Sequence, residues 1–292
     1  MPDTKHAPVV RPEYELSPSD AGVIGEIVRP LSAWELISNQ TWVRRITILV
    51  VLCVAWQLYA QWVNNPLMFP TFYDVMLAWW DSAFHGPLFD RTFTSIRVLL
   101  IGYASGIALA AAFTTLAVST RIGTDLLSTL TAMFNPLPAI ALLPLALLWF
   151  GLGIPSLVFV IIHSVLWAVA LNTHTGFLSV SETLRMAGYN VGLTGVRYVM
   201  SILIPAAFPS ILAGLKIGWA FAWRTLIAAE LVLGVSARSG GLGWFIFENR
   251  NLLDTPNVFA GLLTVIIIGL LVENVVFRAI EARTVRRWGM QR

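Results

Sequence analysis

The polar positions of this chain come in clusters, and between the clusters lie long stretches without a formal charge. No Asp, Glu, Lys or Arg occurs between Arg45 and Asp74, between Arg97 and Arg121, between Arg197 and Lys216, or between Asp254 and Glu273. A further gap holds 56 residues, from Asp125 to Glu182. About 20 apolar residues carry a helix across the hydrocarbon of a bilayer. Four gaps are close to that length. The 56-residue gap is too long for one crossing, and GLGIP at 151–155 offers a glycine- and proline-made turn that divides it. Six spans follow: about 44–63, 93–118, 129–150, 155–174, 205–234 and 257–279. Only helices and closed barrels satisfy their backbone in lipid. The runs are continuous rather than alternating, so the spans are predicted to be helices.

Composition agrees, with 57% hydrophobic and 12% charged residues in 292. Soluble domains carry about 25% charged residues. The excess of basic residues serves topology. With the N-terminus in the cytoplasm, the inside holds Lys5, Arg11, Arg29, Arg44, Arg45, Arg121, Arg185, Arg197, Arg278, Arg283, Arg286, Arg287 and Arg292. The outside holds only Arg91, Arg97, Arg238 and Arg250, which is the expected bias. This basic content is not read as a nucleic-acid patch. The opening residues show no cleavable-signal pattern and are expected to form a largely mobile cytoplasmic tail, 1–43, with LSAWELI at 31–37 as a candidate interfacial helix. A first helix with its outer loop (44–92), a core membrane domain (93–280) and a basic cytoplasmic tail (281–292) complete the expected organisation. One cysteine, Cys53, allows no disulfide framework.

The segment between the fourth and fifth spans, about 179–204, is unlike a plain connector. Ser179-x-x-Glu182 is a capping box that predicts a helix start. Leu184, Ala187 and Val191 lie along one face, and Gly192 is placed to stop the helix in a left-handed turn. A helix of about ten residues is too short to stand alone and needs a partner surface. Gly188 inside it suits a close approach of that surface to the backbone. Pro205 and Pro209 are expected at the first turn of span five. An ordinary loop with an interfacial helix is the plainer reading of the same residues.

The spacing Met186-Ala187-Gly188, three residues, Gly192, nine residues, Ile202-x-Ile204-Pro205 resembles the EAA signature of binding-protein-dependent ABC importer permeases. PAAFPSILAGLKIGWAFAWRTLIAAEL at 205–231, NPLPAIALLPLALLWFGLG at 135–153 and SGGLGWFIF at 239–247 are similar to the nitrate/sulfonate/taurine/bicarbonate branch of that family. The resemblance covers about 90–292. It implies an all-α polytopic protein with six transmembrane helices in the MetI-like, type I importer fold. It also implies a coupling helix seated on a separate ATPase, with Glu182, Met186, Ala187, Gly188, Gly192 and Pro205 as the coupling positions. The usual Glu is Met186 here and the second Ala is Gly188. The implied partners are a second permease copy as a homodimer, two P-loop ATPase subunits and an extracytoplasmic solute-binding protein, in the bacterial inner membrane. The branch moves small anions and organic acids.

Charged residues inside a span usually face a cavity or a partner. Lys216, Arg224 and Glu230 lie in span five with Trp219 and Trp223 between them, and these five are the candidate translocation path. The alternatives are structural: Lys216 reaching the cytoplasmic edge, Glu230 pairing with Arg224 or capping a neighbouring helix. Pro136, Pro138 and Pro144 break span three, and broken helices line cavities or gates or simply aid packing. His163 and His174 are isolated, and no metal cluster presents itself. The two lysines follow Thr4 and Leu215, so neither completes a phosphate-binding loop. The chain is therefore expected to be a non-catalytic subunit without a cofactor, with ATP and magnesium bound by the partner. The rival reading, an ion-gradient-driven secondary transporter, predicts internal repeats and an intramembrane acidic relay, of which Glu230 is the one deep acid.

Overall fold

A computed structural model describes residues 39–233 and 240–285. The expected tail up to residue 38 with its helix at 31–37, Arg238, and the basic residues after 285 lie outside the described residues. All regular structure among the described residues is helical. Five helices are long and apolar enough to cross a membrane, or six when one bent pair counts as a span.

Residues 1–55 and 56–292 form two units. The described part of the first is the beginning of α1 (Thr41–Val63), where Ile48, Leu49, Val50, Val51 and Leu52 are all exposed, as a lipid-facing helix requires. In the second unit, Trp56 packs against Phe69, Phe72 and Phe259 and donates its indole N–H to the Pro70 carbonyl at 3.0 Å. The short α2 (Phe72–Phe84) is started by Thr71, whose hydroxyl accepts from the Asp74 amide.

The core is a packed trio: α3 (Leu88–Ser119), α6 (Ile154–Leu178) and α9 (Ile204–Leu233). Of the apolar stretch of α6, 56% is buried, against 28% in α3, so α6 is the central helix. Lipid tails are as apolar as leucine, so close packing rather than water exclusion must hold such helices together. The sequence supplies it with two small-residue stripes, Gly102, Gly106 and Ala110 on α3 and Gly214, Gly218 and Ala222 on α9. A Cβ at Gly102 would stand 2.6 Å from Ile161, and one at Gly214 would stand 2.8 Å from Asn172.

The third span starts earlier than expected, as α4 (Arg121–Phe134), and is broken at its prolines, as the sequence predicts. After Asn135-Pro136-Leu137-Pro138 a 3₁₀ turn (Ala139–Leu142) leads into α5 (Leu143–Phe150), bent 88° from α4. Asn135 is still helical, but Pro136 and Pro138 withhold two N–H donors and Pro138 itself is extended at ψ 121°, so the helix ends there. Gly151 and Gly153 then take φ of +72° and +149° in the expected turn, and Ser156 donates back to the Gly151 carbonyl at 2.5 Å.

α7 (Glu182–Asn190) is the expected short helix, with two corrections around it. The capping box does not form. α6 runs on to Leu178, and the Ser179 hydroxyl donates to the Gly176 carbonyl instead, so Ser181 precedes the helix and Glu182 opens it. The end is as expected: Gly192 sits at φ +76°, its amide donates to Tyr189, and the Leu193 amide donates to Gly188. The prolines are the second correction. A continuous helix starts at Gly195, with α8 (Gly195–Tyr198) and a wide π-helical stretch (Val199–Leu203) ahead of Pro205, and Pro209 lies inside α9. The π turn loosens the helix just where Pro205 lacks an amide proton to donate.

From residue 240 onward come α10 (Leu242–Asn251) and the last span, α11 (Thr255–Leu271), which continues through a π stretch (Val272–Phe277) into α12 (Arg278–Arg283). α2 lies along α11, where Trp79 donates to the Thr264 hydroxyl at 3.0 Å.

Candidate functional site

A cavity of about 380 Å³ opens at the break between α4 and α5. Asn135 to Ile140 form one wall, His163, Ser164 and Trp167 of α6 another, and Phe221, Arg224, Thr225 and Ala228 of α9 the third. The α9 residues recur at three and four positions, one face of a helix. Arg224 is exposed; its Nε donates to the Ala220 carbonyl at 3.1 Å and its guanidinium lies 5.1 Å from the centre of the Phe221 ring. Among the described residues Arg224 forms no ion pair. Phe134 stacks on Trp167 at 5.4 Å, and His163 meets the edge of the same indole at 6.2 Å. Both ring nitrogens of His163 and the indole nitrogen of Trp167 are buried and have no hydrogen-bond partner among the described residues.

The other four candidates for the path lie elsewhere. Lys216 pairs with Glu281 of α12 at 2.6 Å. Trp219 meets Tyr103 at 5.4 Å and Phe277 at 6.4 Å. Trp223 is buried and donates to the Val265 carbonyl of α11 at 3.2 Å. Of the five, only Arg224 lines the cavity. The missed residues were within reach of the sequence: the three- and four-residue recurrence through Arg224 picks out Phe221, Thr225 and Ala228, and two of the three prolines, Pro136 and Pro138, mark the opposite wall.

Glu230 is 5% exposed and caps a neighbouring helix, one of the structural alternatives above; it does not pair with Arg224. Its carboxylate accepts from the Ser95 hydroxyl, 2.8 Å from each oxygen, and from the Gly243 amide at 2.8 Å. Ser95 in turn accepts from the Leu242 amide at 2.7 Å. An anion at the first turn of α10 satisfies orphan amides and meets the positive end of the helix dipole. The glycines of this turn are fixed by space: a Cβ at Gly241 would stand 2.1 Å from a Glu230 oxygen, and one at Gly243 2.6 Å from Glu230 Cβ. Arg91 completes the clamp, donating to the Gly240 carbonyl at 3.0 Å.

At the other end of the bundle, Glu182, Met186 and Ala187 are exposed on α7 while Gly188 is buried. The surface that approaches Gly188 is the chain's own: a Cβ there would meet Tyr198 and Ile202 at 3.1 Å. Tyr189 stacks on Tyr198 at 4.9 Å. Arg185 ties α7 to the end of α6, donating to the carbonyls of Phe177 at 2.6 Å and Val180 at 3.2 Å. Leu184, Met186, Tyr189, Val191, Val196 and Met200 remain exposed. Gly192 closes the helix and Pro205 follows the π stretch, half-buried.

Among the described residues the protein is a helical membrane bundle with a broken span beside a cavity and a short helix between the long helices α6 and α9, and its family match makes it a transport permease. Residues 102–289 match the binding-protein-dependent transport system inner membrane component family, and the chain belongs to it, as a multi-span permease of the ABC importer type with the MetI-like fold. It is 31% identical to a putative ABC transporter permease protein of Methanocaldococcus jannaschii over 242 residues, 82% of this chain and 90% of the relative. It is 28% identical to the putative aliphatic sulfonates transport permease protein SsuC of Escherichia coli over 84% of this chain and 90% of the relative. It is 27% identical to the nitrate import permease protein NrtB of Synechocystis over 80% and 86%. These relatives place the chain in the nitrate/sulfonate/taurine branch.

Proposed function

We propose that this chain, paired with a second copy, forms the membrane pathway of an ABC importer for a small anion, with two separate P-loop ATPases supplying the energy from ATP and magnesium. A solute-binding protein on the outer side delivers the substrate. The relatives named for sulfonates and nitrate support an anion. The chain sits in the inner membrane with both termini and α7 on the cytoplasmic side.

The observation that carries the reading is α7 itself. Nine residues are too few for a stable isolated helix. This one is anchored to the bundle through Gly188, Arg185 and Tyr189, and it leaves Leu184, Met186 and Val191 uncovered beside it. An anchored helix that leaves apolar side chains exposed, Leu184 and Val191 on one side and Met186 on the other, suits docking against another subunit. Met186, in place of the usual Glu, makes that contact apolar. Glu230, as a helix cap, is not available as a proton relay, which weighs against the secondary transporter.

The test is purification of the tagged protein from its native membrane in mild detergent. A P-loop ATPase is expected to co-purify and to be lost with Met186→Asp, while the variant still elutes as folded protein. Absence of any ATPase, with transport that survives ATP depletion and collapses with the ion gradient, refutes the proposal.

A further inference from the structure

We infer that the groove between α3 and α9, at the end of the bundle where α7 sits, is a binding site for one anionic phospholipid, with an acyl chain in the groove and the phosphate at Arg121 and Arg197. The inference goes beyond the importer reading and takes from it only that this end faces the cytoplasm, which makes the lipid one of the inner leaflet.

Shape comes first. The groove has a volume of about 280 Å³. Its walls run from Ile107 to Ser119 on α3, from Val169 to Phe177 on α6, and from Val199 to Leu215 on the π stretch and α9. Val169, Thr173 and Phe177 recur every four residues, on a different face of α6 from His163, Ser164 and Trp167. Ile107 to Ser119 is twelve residue steps, which at ~1.5 Å each make a trough about 18 Å long beside α3. Half of a hydrocarbon core ~30 Å thick is about 15 Å. The trough starts at the last residue of α3 and the last turn of α6, so it runs the depth of one leaflet from that leaflet's edge. Ala111, Thr115, Val118 and Ser119 are exposed along its rim, and Thr114 and Phe177 are buried in its floor, so a chain can enter from the side.

The lining selects hydrocarbon. Among the described residues no charged side chain lines the groove. The hydroxyls of Thr114, Thr115 and Ser119 each donate at 2.7 Å to the carbonyl four residues back, so they are spent on their own helix. Ile107, Ile204, Phe208, Ile211 and Leu215 make most of the remaining surface. An apolar cavity stays dry. On a face open to the bilayer, the hydrocarbon at hand is an acyl chain.

Charge selects the headgroup. Arg121 stands two residues beyond Ser119 and Arg197 two residues before Val199, both at the same end of the trough. Both are exposed, and neither forms an ion pair among the described residues, Arg121 not even with Asp125 one turn on. Arg185, the third cation near Phe177, is spent on backbone carbonyls. A guanidinium binds paired phosphate oxygens, and arginines at the edge of a groove between membrane helices suit an anionic headgroup. Val199 belongs to the π stretch and Ile204 follows it, so the bound chain lies against the loosened turn at the foot of α9.

Native mass spectrometry tests this on the purified protein, delipidated in detergent and titrated with phosphatidylglycerol or with phosphatidylcholine of the same acyl chains. One phosphatidylglycerol per chain is expected to bind about tenfold tighter than phosphatidylcholine. Arg121→Gln with Arg197→Gln is expected to remove that preference, and Arg121→Lys with Arg197→Lys to keep part of it. Arg44→Gln with Arg45→Gln removes the same charge at the start of α1 and is expected to change nothing. Ala111→Phe fills the groove from its rim, keeps both arginines, and is expected to weaken both lipids alike. Glycerol phosphate, a headgroup without chains, is expected not to displace the lipid. An unfolding midpoint read on each lipid-free variant separates lost binding from lost fold, and the exposed arginine variants keep the test open if the Phe variant does not fold. Four results overturn the inference: no preference for phosphatidylglycerol, equal losses in the Arg44/Arg45 and Arg121/Arg197 variants, displacement by glycerol phosphate, or a folded Phe variant that keeps its lipid. A Phe variant that instead splits a two-chain species, with lipid binding unchanged, also overturns it and makes the groove an interface between copies. The importer reading is judged separately, by whether an ATPase co-purifies.

Discussion

Replacing Glu230 by Gln should loosen α10 and little else. The carboxylate accepts the Ser95 hydroxyl and the Gly243 amide in a site 5% exposed. Gln retains one carbonyl oxygen, enough for Gly243, but turns an NH₂ toward Ser95. The Ser95 oxygen already accepts from Leu242, so its own proton is left without an acceptor. One hydrogen bond to a charged group is lost, worth about 2 kcal/mol. At ~1.36 kcal/mol per tenfold, the local opening of α10 becomes about 30 times more favourable. Hydrogen exchange read by mass spectrometry on a peptide spanning 240–247 reports that opening directly, with a peptide from 161–170 of α6 as internal reference. Exchange about 30-fold faster in the first peptide and unchanged in the second is the expected result. A change below about threefold, or one shared equally by α6, would refute a local cap worth ~2 kcal/mol and make Glu230 either dispensable or part of the global core.

Other consequences can be measured alongside it. Gly106→Ala sets a Cβ 2.7 Å from that of Val165 and should cost about 1–3 kcal/mol by overpacking, seen as a lower unfolding midpoint in nanodiscs; an unchanged midpoint contradicts the tight α3–α6 contact. Gly192→Ala forces an alanine to φ +76° and should destabilise the end of α7 by roughly 1 kcal/mol, read as faster exchange of the Leu193 amide. The Lys216–Glu281 pair has side chains 37% and 22% exposed, so a double-mutant cycle with Ala should return no more than about 1 kcal/mol of coupling; several kcal/mol would mean the pair is shielded from solvent.

The spans were legible because lipid imposes a rule a single sequence can display: long stretches without charge. The docked helix was legible for a similar reason, since Gly192 and the apolar spacing are local signals. What the sequence hid was pairing at a distance. Lys216 finds Glu281, and Glu230 finds Ser95 and Gly243, through contacts that no periodicity within span five encodes. Three intramembrane charges on one helix therefore invited a single path, whereas two of them are spent on neighbours and one faces the cavity. The capping box failed on a matter of length: α6 ran on to Leu178, and Ser179 was already engaged. The break in span three was visible as prolines, but its 88° turn depends on how α5 settles against α6. The small-residue stripes at 102–110 and 214–222 were readable at four-residue spacing and point to the α3–α6–α9 trio.

The attachment of α7 at two places has a mechanical consequence. One tether, Arg185, holds the end of α6; the other, Gly188 against Tyr198 and Ile202, holds the foot of the long helix. A short rod pinned to two long ones is a crank. Arg224 stands about 43 Å along the helix from Gly195 at ~1.5 Å per residue. If that helix pivots at its foot as a stiff arm, a tilt of about 5° sweeps the guanidinium sideways by roughly 4 Å over that length. The wide turn at Val199–Leu203 is the compliant joint at the base of the arm, and its stiffness decides how much of a push on α7 reaches the far end.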